Sequence, residues 1–314
     1  MHAYGPVPSR RLGKSIGINH IPPKICSYSC IYCQLGKTLR TQINRKKFFS
    51  TEKNFYAVKS QIEKAKKQHE QIDYLTFVPD GEPTLDINLG KEIELVKSLG
   101  KKVAVIQNSS LLWREDVRND LMHADWVSVK VDAITNMRWG LINRPHNELQ
   151  IDCILKGVKD FAKEYKGVLT TETMLVRNYN DDARELEKIA GFLENIRPDI
   201  AYISIPTRPP AEKFARSPTE KSVNQAFQIF SSRLRNVEYL IGYEGDEFAY
   251  TGDIERDILS ITSVHPMRED GVKKLLSKAN SDWKIIEGLI EDKKILELDY
   301  KNRKFYMRKI PSRN

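Results

Sequence analysis

The sequence predicts an α/β protein built on a partial (β/α)6 TIM-like barrel with a small C-terminal winged helix-turn-helix. Three observations carry this: six apolar runs that alternate with amphipathic stretches, one strand apolar on a single face, and a change of pattern after Asp253. The strands are read at Lys14–Asn19, Tyr74–Pro79, Lys102–Asn108, Trp126–Asp132, Val168–Val176 and Ala201–Pro206. The helices are read at Asn54–His69, Ile87–Leu99, Arg114–His123, Ile151–Tyr165, Asp182–Asn195 and Thr219–Leu234. Strands joined by helices of this length pair in parallel through right-handed crossovers. A flat doubly wound sheet fits the alternation equally well, so the fourth strand decides. Pleating puts Val127, Val129 and Val131 on one face and Ser128, Lys130 and Asp132 on the other. A sheet covered by helices on both sides would be apolar on both, so the polar face lines an open barrel with its function at the C-terminal strand ends.

Ahead of the first strand, Gly5-Pro6-Val7-Pro8-Ser9-Arg10-Arg11 reads as an irregular segment. Beyond Asp253, helical stretches at Arg256–Thr262, Arg268–Lys278 and Asp282–Glu291 precede strands at Ile295–Tyr300 and Lys304–Lys309, turned by Lys301-Asn302-Arg303. That is the order of a winged helix-turn-helix, and it divides the chain into a barrel over 1–250 and a winged-helix-like unit over 251–314.

The 314 residues are 40% hydrophobic and 30% charged, and no apolar run approaches the roughly 20 residues of a membrane span. The start, Met1 to Pro6, lacks the regions of a signal peptide, so a cytoplasmic location with no membrane partner is expected. Lys and Arg total 51 against 42 Asp and Glu, a formal charge of +9. The excess is local: between Lys37 and Lys67, ten basic residues face only Glu52 and Glu63, a net +8 expected near the barrel mouth or on a solvated helix face.

Three of the four cysteines are crowded into Cys26-Ser27-Tyr28-Ser29-Cys30-Ile31-Tyr32-Cys33. Random placement gives this spacing about once in a few thousand such chains, so a metal is expected rather than a disulfide framework. A structural zinc ion wants four ligands, which His20 could complete. A cubane held by three thiolates leaves one iron open for a substrate or cofactor. Cys153 starts a helix without a partner and reads as a small buried hydrophobe.

The cysteine loop, with an aromatic residue directly before its last cysteine, resembles the cluster loop of the radical S-adenosylmethionine superfamily. Asp80-Gly81-Glu82-Pro83-Thr84 resembles that superfamily's Gly-Gly-Glu turn, which holds the methionine amino group, with Asp80 in place of the first glycine. The resemblance implies a [4Fe–4S] cluster on Cys26, Cys30 and Cys33. It further implies S-adenosylmethionine contacts from Tyr32, Gly81, Glu82, Pro83, Asn108, Ser109, Ser128, Lys130 and Asp132, with Glu172 and Arg208 as further contacts to cofactor or substrate. It implies an enzyme: an external one-electron donor such as flavodoxin or ferredoxin reduces the cluster, and cleavage of S-adenosylmethionine yields a 5′-deoxyadenosyl radical that abstracts hydrogen. No catalytic residue of the chain itself is assigned.

Gly5 to Gly13 and Cys33-Gln34-Leu35-Gly36-Lys37-Thr38 look like a group related to the wyosine synthases, which rebuild a guanine in transfer RNA. Those enzymes hold a second cluster on three further cysteines, and only Cys153 remains here, so that particular reaction is not expected. Three functions stay open: modification of RNA, favoured by the basic run; modification of a peptide held by the winged helix; and a sensor that keeps its cluster without turnover, against which Glu82 argues.

Overall fold

The computed structural model describes residues 2–242, 248–264 and 266–309. Its larger sheet has eight strands in sequential order: β1 (Ala3–Ser9), β2 (Gly13–Ile18), β3 (Tyr74–Phe77), β4 (Lys102–Ile106), β5 (Trp126–Lys130), β6 (Val168–Met174), β7 (Ile200–Ser204) and β8 (Val237–Leu240). From β2 to β8 all pairs are parallel, and β1 is antiparallel on the β2 edge. Sequential parallel order follows from each crossover returning beside the strand it left, and it curls the sheet into a half-barrel.

The crossovers include α1 (Thr51–Lys67), α2 (Leu89–Lys97), α3 (Glu115–Leu121), α4 (Asn136–Asn143), α5 (Ile151–Glu164), α6 (Ala183–Ile196) and α7 (Glu220–Ser231). Ser50, Asp182 and Thr219 cap α1, α6 and α7 by accepting from backbone N–H groups in the first turn. Strand alternation then sorts the side chains. Leu75, Phe77, Val103, Val105, Val127, Val129 and Ile203 enter the main core with the helices. On the inner face Ala104, Trp126 and Tyr202 form a small cluster with Leu12 and Leu240, while Ser128 and Lys130 line the cleft.

Two strands escape the sequence pattern, so six becomes eight. β1 carries Pro6 and Pro8, which suit an edge strand but read as a loop. β8 has only four residues, Glu238 among them.

After β8 come α8 (Ile254–Val264), β9 (Met267–Arg268), α9 (Glu269–Lys278), α10 (Lys284–Glu291), β10 (Ile295–Tyr300) and β11 (Arg303–Arg308), the strands ordered β10–β11–β9. Phe248, Ile258, Ile261, Leu275, Leu289 and Tyr306 belong to a second apolar core, and Val7 of β1 packs against it. Among the described residues no helix is long and apolar enough to cross a membrane.

Candidate iron–sulfur and S-adenosylmethionine site

The loop after β2 carries Cys26, Cys30 and Cys33, all half-buried, into a cleft with a cavity volume of 310 Å³ at the C-terminal strand ends. An N–H donor faces each sulfur. Asn108 Nδ2 lies 3.5 Å from Cys26 Sγ, Asn143 Nδ2 lies 3.5 Å from Cys30 Sγ, and Lys24 Nζ lies 3.9 Å from Cys33 Sγ. Donors of this kind stabilise thiolates and tune a cluster. Burial pushes the Cys26 thiol well above its usual range and Cys30 to about 12, so iron is what would keep these sulfurs deprotonated.

The zinc alternative fits poorly. Tetrahedral zinc with Zn–S near 2.3 Å needs sulfurs about 3.8 Å apart, and the three Sγ atoms do not all lie within 4.8 Å of one another. His20 does not complete the set: it is fully buried, its Nε2 is 3.2 Å from the Pro83 carbonyl oxygen, and it gathers instead with Asp86 and Glu92.

The acidic turn follows β3. Gly81 abuts the cysteine loop so closely that a Cβ there would lie 2.0 Å from the Ile25 carbonyl oxygen, to which the Glu82 N–H donates at 2.8 Å. Asp80, in the first glycine's place, accepts from Asn19 Nδ2 at 2.9 Å while its own N–H donates to Asn19 Oδ1 at 3.1 Å, pinning the turn to the end of β2. Glu82 is buried and lines the cleft; its Oε1 accepts from the Thr84 N–H and hydroxyl at 3.1 and 2.6 Å, and its Oε2 from the Asn108 N–H at 2.8 Å. Burial outweighs these bonds and raises its carboxyl to about 7.

Across the cleft, Glu172 on β6 lies 2.9 Å from Lys130 Nζ and 2.5 Å from Arg11, and accepts from Ser204 Oγ at 2.9 Å. Burial works against its charge, but Lys130 and Arg11 hold the carboxyl well below the ordinary range. Lys130 also lies 5.2 Å from the Tyr32 ring centre. Arg208 donates to Gln34 Oε1 at 2.7 Å, joining the end of β7 to the cysteine loop.

Of the residues expected from sequence, Cys26, Cys30, Tyr32, Cys33, Gly81, Glu82, Asn108, Ser128, Lys130, Glu172 and Arg208 line this cleft. Pro83, Ser109 and Asp132 do not; they brace it. Pro83 starts a buried 3-10 turn (Pro83–Leu85). Ser109 Oγ lies 2.8 Å from both the Lys130 oxygen and nitrogen, tying β4 to β5. Asp132 is buried and bonded to the Tyr32 hydroxyl, to Asn143 Nδ2 at 2.8 Å and to the Met174 N–H at 2.8 Å.

Two further expectations need correction. Cys153 is exposed on α5, not buried. For the basic run the barrel-mouth placement gives way to its alternative, the solvated helix face: none of its cations lines the cleft, Arg45 is buried against Asp116 and Asp120, and Lys53, Lys59, Lys66 and Lys67 are exposed on a helix that runs back toward the start of β3. Sequence reasoning missed Arg10, Arg11, Gln34 and Ser204 in the lining, and Asn143 behind it. Only Arg10, Arg11 and Gln34 carried a signal, as part of the family-like segments.

A half-barrel whose strand ends bring together three cysteines and a buried acidic turn defines a class, the radical S-adenosylmethionine proteins. Residues 21–193 match the Radical SAM superfamily, and the chain belongs to it. It is 47% identical over 314 residues to a UPF0026 protein of Methanocaldococcus jannaschii, covering 99% of this chain and 97% of that one. The fold resembles that of a radical SAM methyltransferase from Sphaerobacter thermophilus, with a TM-score of 0.55 and 14% identity over 72% of this chain and 66% of that chain. A structure of TYW1 with a lysine–pyruvate adduct covers 95% of this chain and 81% of that chain at 15% identity, but its TM-score of 0.49 is too low to bear on function. Members of the superfamily bind a [4Fe–4S] cluster and S-adenosylmethionine.

Proposed function

We propose that this chain is a radical enzyme in which Cys26, Cys30 and Cys33 hold the cluster and the Glu82 turn holds the amino end of S-adenosylmethionine. Its proposed substrate is RNA, with a transfer RNA base as the target. The observation that carries the enzyme reading is the convergence on one cleft of three sulfurs, each facing an N–H donor, with buried Glu82. When bound, the cluster would supply the one electron that breaks a C–S bond of S-adenosylmethionine, releasing methionine and giving a 5′-deoxyadenosyl radical able to take hydrogen from a substrate carbon. Glu82 would accept from the ammonium, Lys130 would pair with the carboxylate, and Asn108 and Ser128 would supply polar contacts along the strand ends, all four lining the cleft. Tyr32, Ser109, Asp132 and Pro83 keep these groups in place. Electrons come from an external donor such as flavodoxin or ferredoxin.

Charge supports a polyanion: among the described residues, the charged ones lining the cleft are Arg10, Arg11, Lys130 and Arg208 against Glu82 and Glu172. Residues 251–314 are read as a winged helix-turn-helix, supported by the order α8, β9, α9, α10, β10, β11 and by its own apolar core. A peptide substrate is the second reading, favoured by the acids Glu287, Glu291 and Asp292 on and after α10, which suit a groove in nucleic acid poorly.

The deciding experiment gives anaerobically reconstituted protein dithionite, S-adenosylmethionine, and either transfer RNA or protein from a deletion strain. RNA-dependent 5′-deoxyadenosine above the uncoupled background, with a mass-shifted nucleoside, is expected. Stimulation by the protein fraction alone selects the peptide reading. No 5′-deoxyadenosine under any condition removes the enzyme reading.

A further inference from the structure

Behind the Glu82 turn, three side chains from separate elements meet inside the main core: His20 after β2, Asp86 after the 3-10 turn, and Glu92 in the first turn of α2. Their exposures are 0%, 0% and 1%, and one ligand atom from each lies within 4.8 Å of the other two. Each has one atom committed. His20 Nε2 pairs with the Pro83 oxygen at 3.2 Å, the Asp86 Oδ1 accepts from the Asn88 N–H at 2.8 Å, and the Glu92 Oε1 accepts from Asn54 Nδ2 at 2.6 Å. The remaining atoms, His20 Nδ1, Asp86 Oδ2 and Glu92 Oε2, are buried without a hydrogen-bond partner.

A carbonyl oxygen only accepts, so the Pro83 contact places the His20 proton on Nε2, and Nδ1 is left without a hydrogen-bond partner. The three unpartnered atoms are therefore acceptors, with the Phe48 N–H a further backbone donor to Asp86, and buried unpartnered acceptors are costly unless a cation or proton fills the space between them. Arg45 does not fill it: its guanidinium is spent on the Thr84 and Asp86 backbone oxygens, Asp116 and Asp120. A ligating histidine whose other ring N–H is fixed by a backbone carbonyl is the usual arrangement at metal centres.

We propose that His20, Asp86 and Glu92 bind one first-row divalent cation, such as Mn²⁺, Fe²⁺ or Zn²⁺, at a site separate from the cysteine cleft. One imidazole and two carboxylates suit these ions. Ligands about 2.1 Å from a shared ion stand about 3–4 Å apart, within reach of the observed grouping after small closure. Burial lowers His20 to about 4 despite the Pro83 and Ile18 carbonyls, leaving the neutral imidazole a ligand must be. Burial also raises Asp86 to about 6 and Glu92 to about 8, a penalty that a bound cation reverses. The ion would clamp the end of β2, the turn that carries Glu82, and α2 at one point. None of the three residues lines the cleft, so the site stands whether or not the proposed reaction does.

The probe is Mn²⁺, because hard nitrogen and oxygen ligands take it in preference to thiolates. Chelator-stripped full-length protein carrying Cys26→Ser, Cys30→Ser and Cys33→Ser is titrated, with free Mn²⁺ followed by electron paramagnetic resonance. One saturable Mn²⁺ per chain and a rise in Tm are expected. Asp86→Asn and Glu92→Gln in that background should weaken binding by about 100-fold or more, since even outer partners of a ligand are worth 10–100-fold. The wild-type chain, stripped in the same way, should also take up one Mn²⁺, which keeps the test decisive if a variant fails to fold. Folded protein with no saturable Mn²⁺, Fe²⁺ or Zn²⁺ outside the cysteines overturns the proposal. So does a metal-indifferent protein in which Glu92→Gln raises Tm, because a shared proton then fills the cluster.

Discussion

Glu172→Gln tests whether the charge seam inside the barrel holds the fold together. The carboxylate joins Lys130 and Arg11, and the side chains are only 17% and 13% exposed, with Glu172 itself at 13%. Glutamine keeps the shape and removes the charge, leaving two cations in a low-dielectric interior. Lys130 retains Asp132 at 3.8 Å, so Arg11 is the cation left without its carboxylate. Breaking a buried pair from one side costs about 3–5 kcal/mol, and the surviving Asp132 contact favours the lower end. At roughly 2–4 °C per kcal/mol in large domains, Tm should fall by about 6–12 °C in circular dichroism at pH 7.5. Glu194→Gln, which breaks the exposed pair with Arg233, should change Tm by about 1 °C or less. The Glu172 carboxyl is held below its unfolded value, so its contribution is present above about pH 4.3 and is lost as pH falls through the acid range. The gap between wild type and Glu172→Gln should therefore narrow below that pH. A Tm within 1 °C of wild type at pH 7.5, or a gap that widens in acid, refutes the reasoning.

Cys26→Ala, Cys30→Ala and Cys33→Ala should each abolish the visible absorption of reconstituted protein and its roughly four irons per chain, while the exposed Cys153→Ala keeps both; iron loss in Cys153→Ala would show that the ligands are misassigned. For Glu82, raised to about 7 in the free protein, binding an ammonium favours the carboxylate, so affinity for S-adenosylmethionine should rise from pH 5.5 to 7 with proton uptake by buffer in calorimetry. Glu82→Gln should lose about 1.5–3 kcal/mol of that affinity along with its pH dependence, and a pH-independent wild type counts against the assigned contact.

What the sequence disclosed depended on whether each feature was local. β2 to β7 were legible because apolar alternation and helix periodicity lie within single elements. β1 was not, since Gly5, Pro6 and Pro8 carry loop chemistry that an edge strand tolerates. α4 was missed because Asn136–Asn143 has a glycine in its middle and no clear apolar face, and Asn143 was lost with it. Within the site, the cysteine spacing and the Glu82 turn are contiguous motifs and could be read directly. The Arg11–Glu172 pair spans 161 positions and exists only because the sheet curls. His20, Asp86 and Glu92 share no spacing at all; their meeting is made by the turn that Gly81 packs against the cysteine loop.

Besides the Lys278–Glu70 ion pair at 3.4 Å, the described residues tie the C-terminal unit into the barrel through two segments, which governs how its role is tested. β1 is the first: Ala3 belongs to the main core, Val7 packs on the second, and the Ala249 N–H donates to the Pro6 oxygen at 3.1 Å. The β10–β11 turn is the other, where Tyr300 Oη and Lys301 Nζ donate to the Pro206 oxygen at 3.1 and 3.2 Å and Lys301 also reaches Ser217 Oγ at 2.6 Å. Pro206 lines the cleft two residues before Arg208. Several of the hairpin's cations are thus already engaged: Lys301 on the barrel, Lys304 with Glu297 at 2.5 Å, and Arg308 on the Leu259 oxygen at 3.3 Å; Arg313 lies outside the described residues. Exposed Arg303 and Lys309 are the better places to reverse charge when probing for phosphate contact. Deleting the unit is the poorer experiment. It would bare Val7 to water and release the Pro206 strand end together with any substrate contact, so a loss of activity could not be assigned to recognition.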